Sequence, residues 1–201
     1  MRLTDFTPPD TAAARAALEF ATVSQTESML NHCVRSWLWA VGFAAAESRE
    51  YDAELLYVAA LLHDIGLTEA FDNHTLAFED AGGHAADALT AGAGWPAERR
   101  IRVREVIQRH NWPSVDPEMD VEGYLLEIAT ALDIAGARAD ALPLDFEKEV
   151  LAAHPRFDLA AEFGASVADQ AQRKPATAAA RLIDGGVVRK LAENPLERRG
   201  R

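Results

Sequence analysis

The stretch Leu61-Leu62-His63-Asp64-Ile65-Gly66 limits what this chain can fold into more than any other. It closes an apolar segment with Leu55, Val58, Ala59 and Leu62 at helical spacing, which predicts a helix over about Asp52 to Ile65 with Gly66 as its C′ residue. His63 and Asp64 fall in the last turn, about 100° apart, from which both side chains can reach one point at the helix end. A carboxylate on so apolar a helix needs a partner if it is buried. A divalent cation is one such partner, because a neutral imidazole nitrogen and a carboxylate oxygen both ligate borderline or hard ions. A capping or ion-pairing role for Asp64, with His63 as a hydrogen-bonded core residue, is the commoner solution for an isolated pair, so the rest of the chain must decide.

The remaining pattern is helical. Alanine is abundant and β-branched and aromatic residues are sparse, which predicts an all-α fold, and 201 residues suit a single domain with a sizeable core. A short helix is expected over Thr11 to Phe20. A capping box at Ser24-Gln25-Thr26-Glu27 would start a long one, running to about Ser48 with Met29, Cys33, Trp37, Ala40 and Val41 inward and His32 beside that stripe. Another helix begins at Phe78 and ends in the turn Ala91 to Gly94. Pro96, at a first helical position, opens the next, which runs through Val103, Val106 and Ile107 and puts His110 on its buried side. Val121 to Ala135 carries Leu125, Ala129 and Leu132 inward, with Asp133 in the same stripe. The motif-bearing core thus covers about 24–140. A helical packing segment with little chemistry follows over about 145–193, and the tail Asn194 to Arg201 is expected to fray.

Charge and composition narrow the function. A net charge of −12 argues against nucleic acid and against an anionic membrane surface as partners. Cys33 is the single cysteine, which excludes an intrachain disulfide and a cysteine-rich zinc framework. Met1 to Asp10 has a proline pair and acidic residues where a signal segment would be basic and then apolar, and no apolar run approaches the roughly twenty residues that cross a bilayer. The expectation is a soluble cytoplasmic protein acting on a small molecule, with homo-oligomerisation left open.

His32, His63, Asp64 and Asp133 are four candidate metal ligands, each at or near the apolar side of a predicted helix. Helices that bury those faces together would converge two imidazoles and two carboxylates on one small volume. Such a nitrogen and oxygen set suits Zn²⁺, Fe²⁺, Mn²⁺, Co²⁺ or Ni²⁺. This order of residues over roughly Asn31 to Ala135 resembles the HD superfamily of metal-dependent phosphohydrolases, whose pattern is a histidine, then His-Asp at a helix end, then a distant aspartate. Within it, the segment from His32 to Ala40, Phe78-Glu79 with Gly82, and Ile107-Gln108-Arg109-His110 look most like the cyanamide hydratase-like branch. That resemblance implies that Glu79 and His110 line the pocket around the metal. His84 and His110 also stand where bimetallic members carry two extra histidines, which would add a second ion. The chain lacks the proline and the paired histidine and glycine-rich motif of the cyclic-dinucleotide phosphodiesterase subtype.

The resulting expectation is a metal-dependent hydrolase that uses metal-activated water on a phosphoester or nucleotide. The alternatives are hydration of a small nitrile and a non-catalytic metal-binding HD module. Asp64, His110, Glu79 and Arg35 are the expected catalytic residues. His110 is the best acid or base because its ordinary pKa lies near neutrality. Arg35 could clamp a phosphate, or could pair with Glu79 or Asp64 and only orient ligands. The segment Thr68 to His74 is expected to be an irregular loop that could cover the pocket mouth, and Trp112 a possible wall.

Overall fold

The computed structural model describes residues 1–199, and its regular structure is helical throughout. The helices are α1 (Ala12–Ser24), α2 (Glu27–Glu47), α3 (Ala53–Leu62), α4 (Phe78–Gly92), α5 (Ala97–Arg109) and α6 (Val121–Ala135), followed by α7 (Leu144–Ala153), α8 (Leu159–Arg173), α9 (Ala178–Asp184), α10 (Val187–Ala192) and α11 (Pro195–Arg199). Side-chain oxygens start four of the first six: Thr11, Thr26, Asp52 and Asp120 each accept from a backbone N–H three residues on. The second helix therefore begins two residues later than the expected capping box. Ser24 belongs to the end of α1, which is longer than its apolar pattern suggested, and Thr26 is the cap.

Every residue of α3 from Leu55 to Leu62 is buried, as the absence of a polar face demands. This helix forms the middle of the domain, packed against α1, α2, α4 and α5, while α2 lies along α6. A second apolar cluster joins α8, α9 and α10 to Met29, Phe78 and Ile134, so the C-terminal helices cover one end of the core.

The end of α3 differs from the expected glycine cap. The helix stops at Leu62, and Asp64 adopts φ −104° and ψ 8°, the sparsely populated bridge region. A 3-10 turn over Ile65–Leu67 follows. Gly66 is needed for space, because a Cβ there would overlap the carbonyl oxygen of Phe78 at the start of α4. The close approach of α4 also sets Gly82 against the Leu62 and His63 carbonyls, where a Cβ would lie 3.1 Å from each oxygen.

The tail is also ordered where fraying was expected. Leu196 is fully buried, Asn194 Nδ2 donates to the Asp133 carbonyl at 2.8 Å, and Arg199 pairs with Glu147. Gly200 and Arg201 lie outside the described residues. The Thr68 to His74 loop is pinned to α8 through Asp72, which receives Gln170, Arg173 and Lys174. No helix among the described residues is long and apolar enough to cross a membrane.

Candidate metal centre

Helix α2 brings His32 against the His63-Asp64 corner at the end of α3. His63 Nδ1 lies 2.7 Å from the Ala60 carbonyl and must donate to it, which leaves the lone pair on Nε2. His32 Nδ1 lies 2.7 Å from Asp133 Oδ2 and donates likewise. The two Nε2 atoms then face each other at 3.2 Å, and Asp64 Oδ2 stands 3.3 and 3.4 Å from them. All three side chains are buried to 1% exposure or less.

Three electron-rich atoms converge here with no hydrogen assigned between them. Both Asp64 oxygens lack a hydrogen-bond partner, an arrangement too costly to keep in a dry interior without a cation. These residues therefore fit a divalent ion, with His32 Nε2, His63 Nε2 and Asp64 as donors. An extra proton on His32 is the metal-free substitute. Burial pushes the His32 pKa down, but hydrogen bonds to Asp133 and Asp64 outweigh it and raise it, whereas burial leaves His63 lowered. Burial would raise Asp64, yet the three surrounding imidazoles, His63 foremost, hold it well below the usual carboxylate range.

Asp133 does not join these three. Its Oδ1 accepts from Arg35 Nε at 2.9 Å and Trp39 Nε1 at 2.8 Å, and its Oδ2 from Arg35 Nη2 at 2.8 Å and His32 Nδ1. Arg156 Nη1 approaches Oδ2 at 3.3 Å as well. A carboxylate so saturated has no lone pair left for an ion. It stands behind His32, fixing the tautomer and the ring orientation. Arg35 is fully buried in this pairing and also donates to the His154 and Pro155 carbonyls, so it is not a free phosphate clamp and pairs with neither Glu79 nor Asp64.

His110 caps α5 with its Nδ1 donating to the Ile107 carbonyl. Its Nε2 faces Asp64 Oδ1 at 3.6 Å, and its ring meets His63 edge to face. Glu79, expected in the pocket lining, is not among the lining residues; it is buried near His110 with Oε2 unpartnered, and burial pushes its carboxyl pKa up, against a backbone hydrogen bond and the pull of His110. His84 is exposed on α4 and remote from this cluster, so the structure does not assemble His84 and His110 into a second ion site.

A cavity of about 220 Å³ opens from the three donors to solvent. His110 and Trp112 flank it, Ile134 and Phe163 wall it, and α9 and α10 close over it with Arg181 and Lys190. The Thr68 to His74 loop takes no part in its lining; the pocket mouth belongs instead to the C-terminal segment expected to be packing alone. Arg156 and Arg181 were missed because isolated arginines in a helical segment carry no spacing signal.

An all-α domain organised around a buried histidine and a His-Asp pair is thereby defined. The chain belongs to the HD domain family, whose profile matches residues 29–142, the span that holds His32, His63, Asp64, His110 and Asp133. It is similar to two proteins of Saccharomyces cerevisiae (strain ATCC 204508 / S288c), cyanamide hydratase DDI2 and cyanamide hydratase DDI3. Each is 31% identical over 172 residues, covering 84% of this chain and 76% of the relative. Fold class and family, with its cyanamide hydratase-like branch, thus agree with the expectation from sequence.

Proposed function

We propose that this protein is a metal-dependent enzyme that adds water across the carbon–nitrogen triple bond of a small nitrile. The observation that carries this reading is the contrast at the buried end of the cavity. Three unsatisfied donors suited to an ion stand there, while both buried guanidiniums nearby, Arg35 and Arg156, are held by Asp133. A transferring phosphoryl group would need such cations free beside the ion; the two unpaired ones in the lining, Arg181 and Lys190, are exposed. A small neutral nitrile needs an apolar-walled pocket and groups that move protons. The yeast relatives, named as cyanamide hydratases, support the same choice over the phosphoester.

A divalent ion held by His32, His63 and Asp64 would supply Lewis-acid polarisation and a lowered pKa for water. The chain's own residues handle the protons. With its Nδ1–H committed to Ile107, His110 carries its lone pair on Nε2, which accepts from Asn111 Nδ2 at 2.8 Å and, once released from that amide, is the base that takes the proton of the attacking water. The Glu79 carboxyl, kept protonated more readily by burial, donates to the nitrile nitrogen. Water's oxygen thus joins the carbon to give an imidic acid, whose tautomerisation moves the second proton from oxygen to nitrogen and yields the amide, while the proton held on His110 returns to Glu79. Asp133 holds His32 in the tautomer this arrangement needs.

The test measures metal content by elemental analysis, then reconstitutes the stripped protein with Zn²⁺, Fe²⁺, Mn²⁺, Co²⁺ or Ni²⁺. Urea from cyanamide and phosphate from nucleotides are assayed side by side. Urea formation that disappears in Asp64→Ala supports the proposal. Phosphate release without urea would return the phosphoester reading, and no turnover with any ion would leave a binding module.

A further inference from the structure

The cavity is larger and more charged at its mouth than a three-atom nitrile requires. Cyanamide fills roughly two water volumes, about 60 Å³, against the 220 Å³ available. Beyond the donor triad the wall turns apolar, with Ile134, Phe163, Leu182 and Val187. At the solvent end stand Arg181 and Lys190, both exposed. Within the described residues these two cations make no ion pair and no side-chain hydrogen bond, and the Arg181 charge acts at longer range on Glu79, drawing its carboxyl pKa down against burial. On α5, by contrast, Arg99, Arg100, Arg102, Arg104 and Arg109 all meet carboxylates. The acidic lining residue besides Asp64 is Glu127; burial raises its carboxyl pKa and Arg138 opposes that, so its charge is answered from its own side.

We infer that the physiological substrate carries an anionic group of the carboxylate type on a short apolar body. Arg181 and Lys190 bind the anion at the mouth while the reacting group lies at the buried end. This rests on the reading of the site as one that hydrates nitriles, and it extends that reading from the reacting bond to the rest of the molecule. Two unpaired cations on one rim also raise the local concentration of an anion against a chain whose net charge of −12 would repel it.

The test compares 4-cyanobutanoate with pentanenitrile, which differ in the terminal carboxylate. Binding to the metal-loaded full chain is measured by titration calorimetry at low and high salt, and amide formation by NMR. The anionic probe should bind about tenfold tighter, with the preference shrinking in high salt. The double variant Arg181→Gln, Lys190→Gln should abolish the preference while metal content and melting temperature stay unchanged. Equal binding of the two probes, a preference that survives the double variant, or no binding of either at millimolar concentration would overturn the inference. Anion preference without amide formation would leave the inference standing and sink nitrile hydration. Amide formation without preference would do the reverse.

Discussion

Arg35 and Asp133 form a two-pronged ion pair sealed from solvent, Nε to Oδ1 at 2.9 Å and Nη2 to Oδ2 at 2.8 Å. The pair crosses between α2 and α6 and sits directly behind His32, so the protein's most buried charge pair also supports its candidate metal donor. Removing one partner would leave the other charged and dry. Arg35→Ala should destabilise the fold by about 3–5 kcal/mol, read by urea denaturation of the metal-stripped protein. Arg35→Lys should recover only part of that, because an ammonium cannot reproduce the fork. A loss within 1 kcal/mol for Arg35→Ala would show that the remaining donors to Asp133 suffice.

Arg156 reaches Asp133 as well, its Nη1 3.3 Å from the Oδ2 that Arg35 also meets. Its Nη1 donates to the Asp133 carbonyl at 2.7 Å while its Nε meets Glu197 of α11 at 2.6 Å. The C-terminal helix is thereby linked through one guanidinium to the residue that orients His32. Losing an orienting contact behind a metal ligand costs roughly ten- to hundredfold in ion affinity. Arg156→Ala should weaken metal binding by that order in a competition titration against a chromophoric chelator, with Glu197→Gln smaller in the same direction. An unchanged dissociation constant alongside a lowered melting temperature would mark the linkage as packing only.

Much of this was legible in the sequence, and the exceptions share a cause. The period of the apolar residues located the helices, and the order of His32, His63, Asp64 and Asp133 located the family. Periodicity says which residues face inward but not what each inward polar group meets. Asp133 reads the same from sequence whether it touches an ion or two arginines, and Arg156 lies far from it in the chain. His84 fell in the right order but on the wrong face of α4, since order along the chain is blind to rotation about a helix axis. Gly66 looked like a helix cap, yet its role comes from the approach of Phe78, which only the tertiary fold fixes. The cavity mouth was missed because α9 and α10 are short and their residues meet the site only through packing across the second apolar cluster.

Acid sensitivity should trace in part to Asp120, which caps the start of α6. Burial would raise its carboxyl pKa, but hydrogen bonds from Arg102 and Arg109 and from the Gly123 N–H outweigh burial and lower it. A carboxyl whose folded pKa is depressed contributes stability that is fully present above the unfolded value, about 3.9. That contribution fades as pH falls through this value and is gone below the folded one. Asp120→Asn should therefore lower stability at pH 7 yet narrow the gap between variant and parent as the pH approaches 3. Parallel urea titrations of the metal-stripped proteins across that range check it; a constant gap would assign the acid loss to other groups.

The proton-handling pair offers the sharpest separation of chemistry from metal binding. His110 Nε2 stands 3.6 Å from Asp64 Oδ1, yet His110 is not among the three atoms that fit the ion. His110→Ala should leave the metal content intact while lowering kcat for urea formation by about 10²–10⁴-fold, the usual worth of a positioned acid or base. Glu79→Gln keeps the shape of the side chain and removes its transferable proton, so it should cut kcat by a similar order with little change in KM. If the imidazole instead ligates the ion, His110→Ala would release metal and lose activity in proportion. Elemental analysis of the same preparations used for kinetics decides between the two.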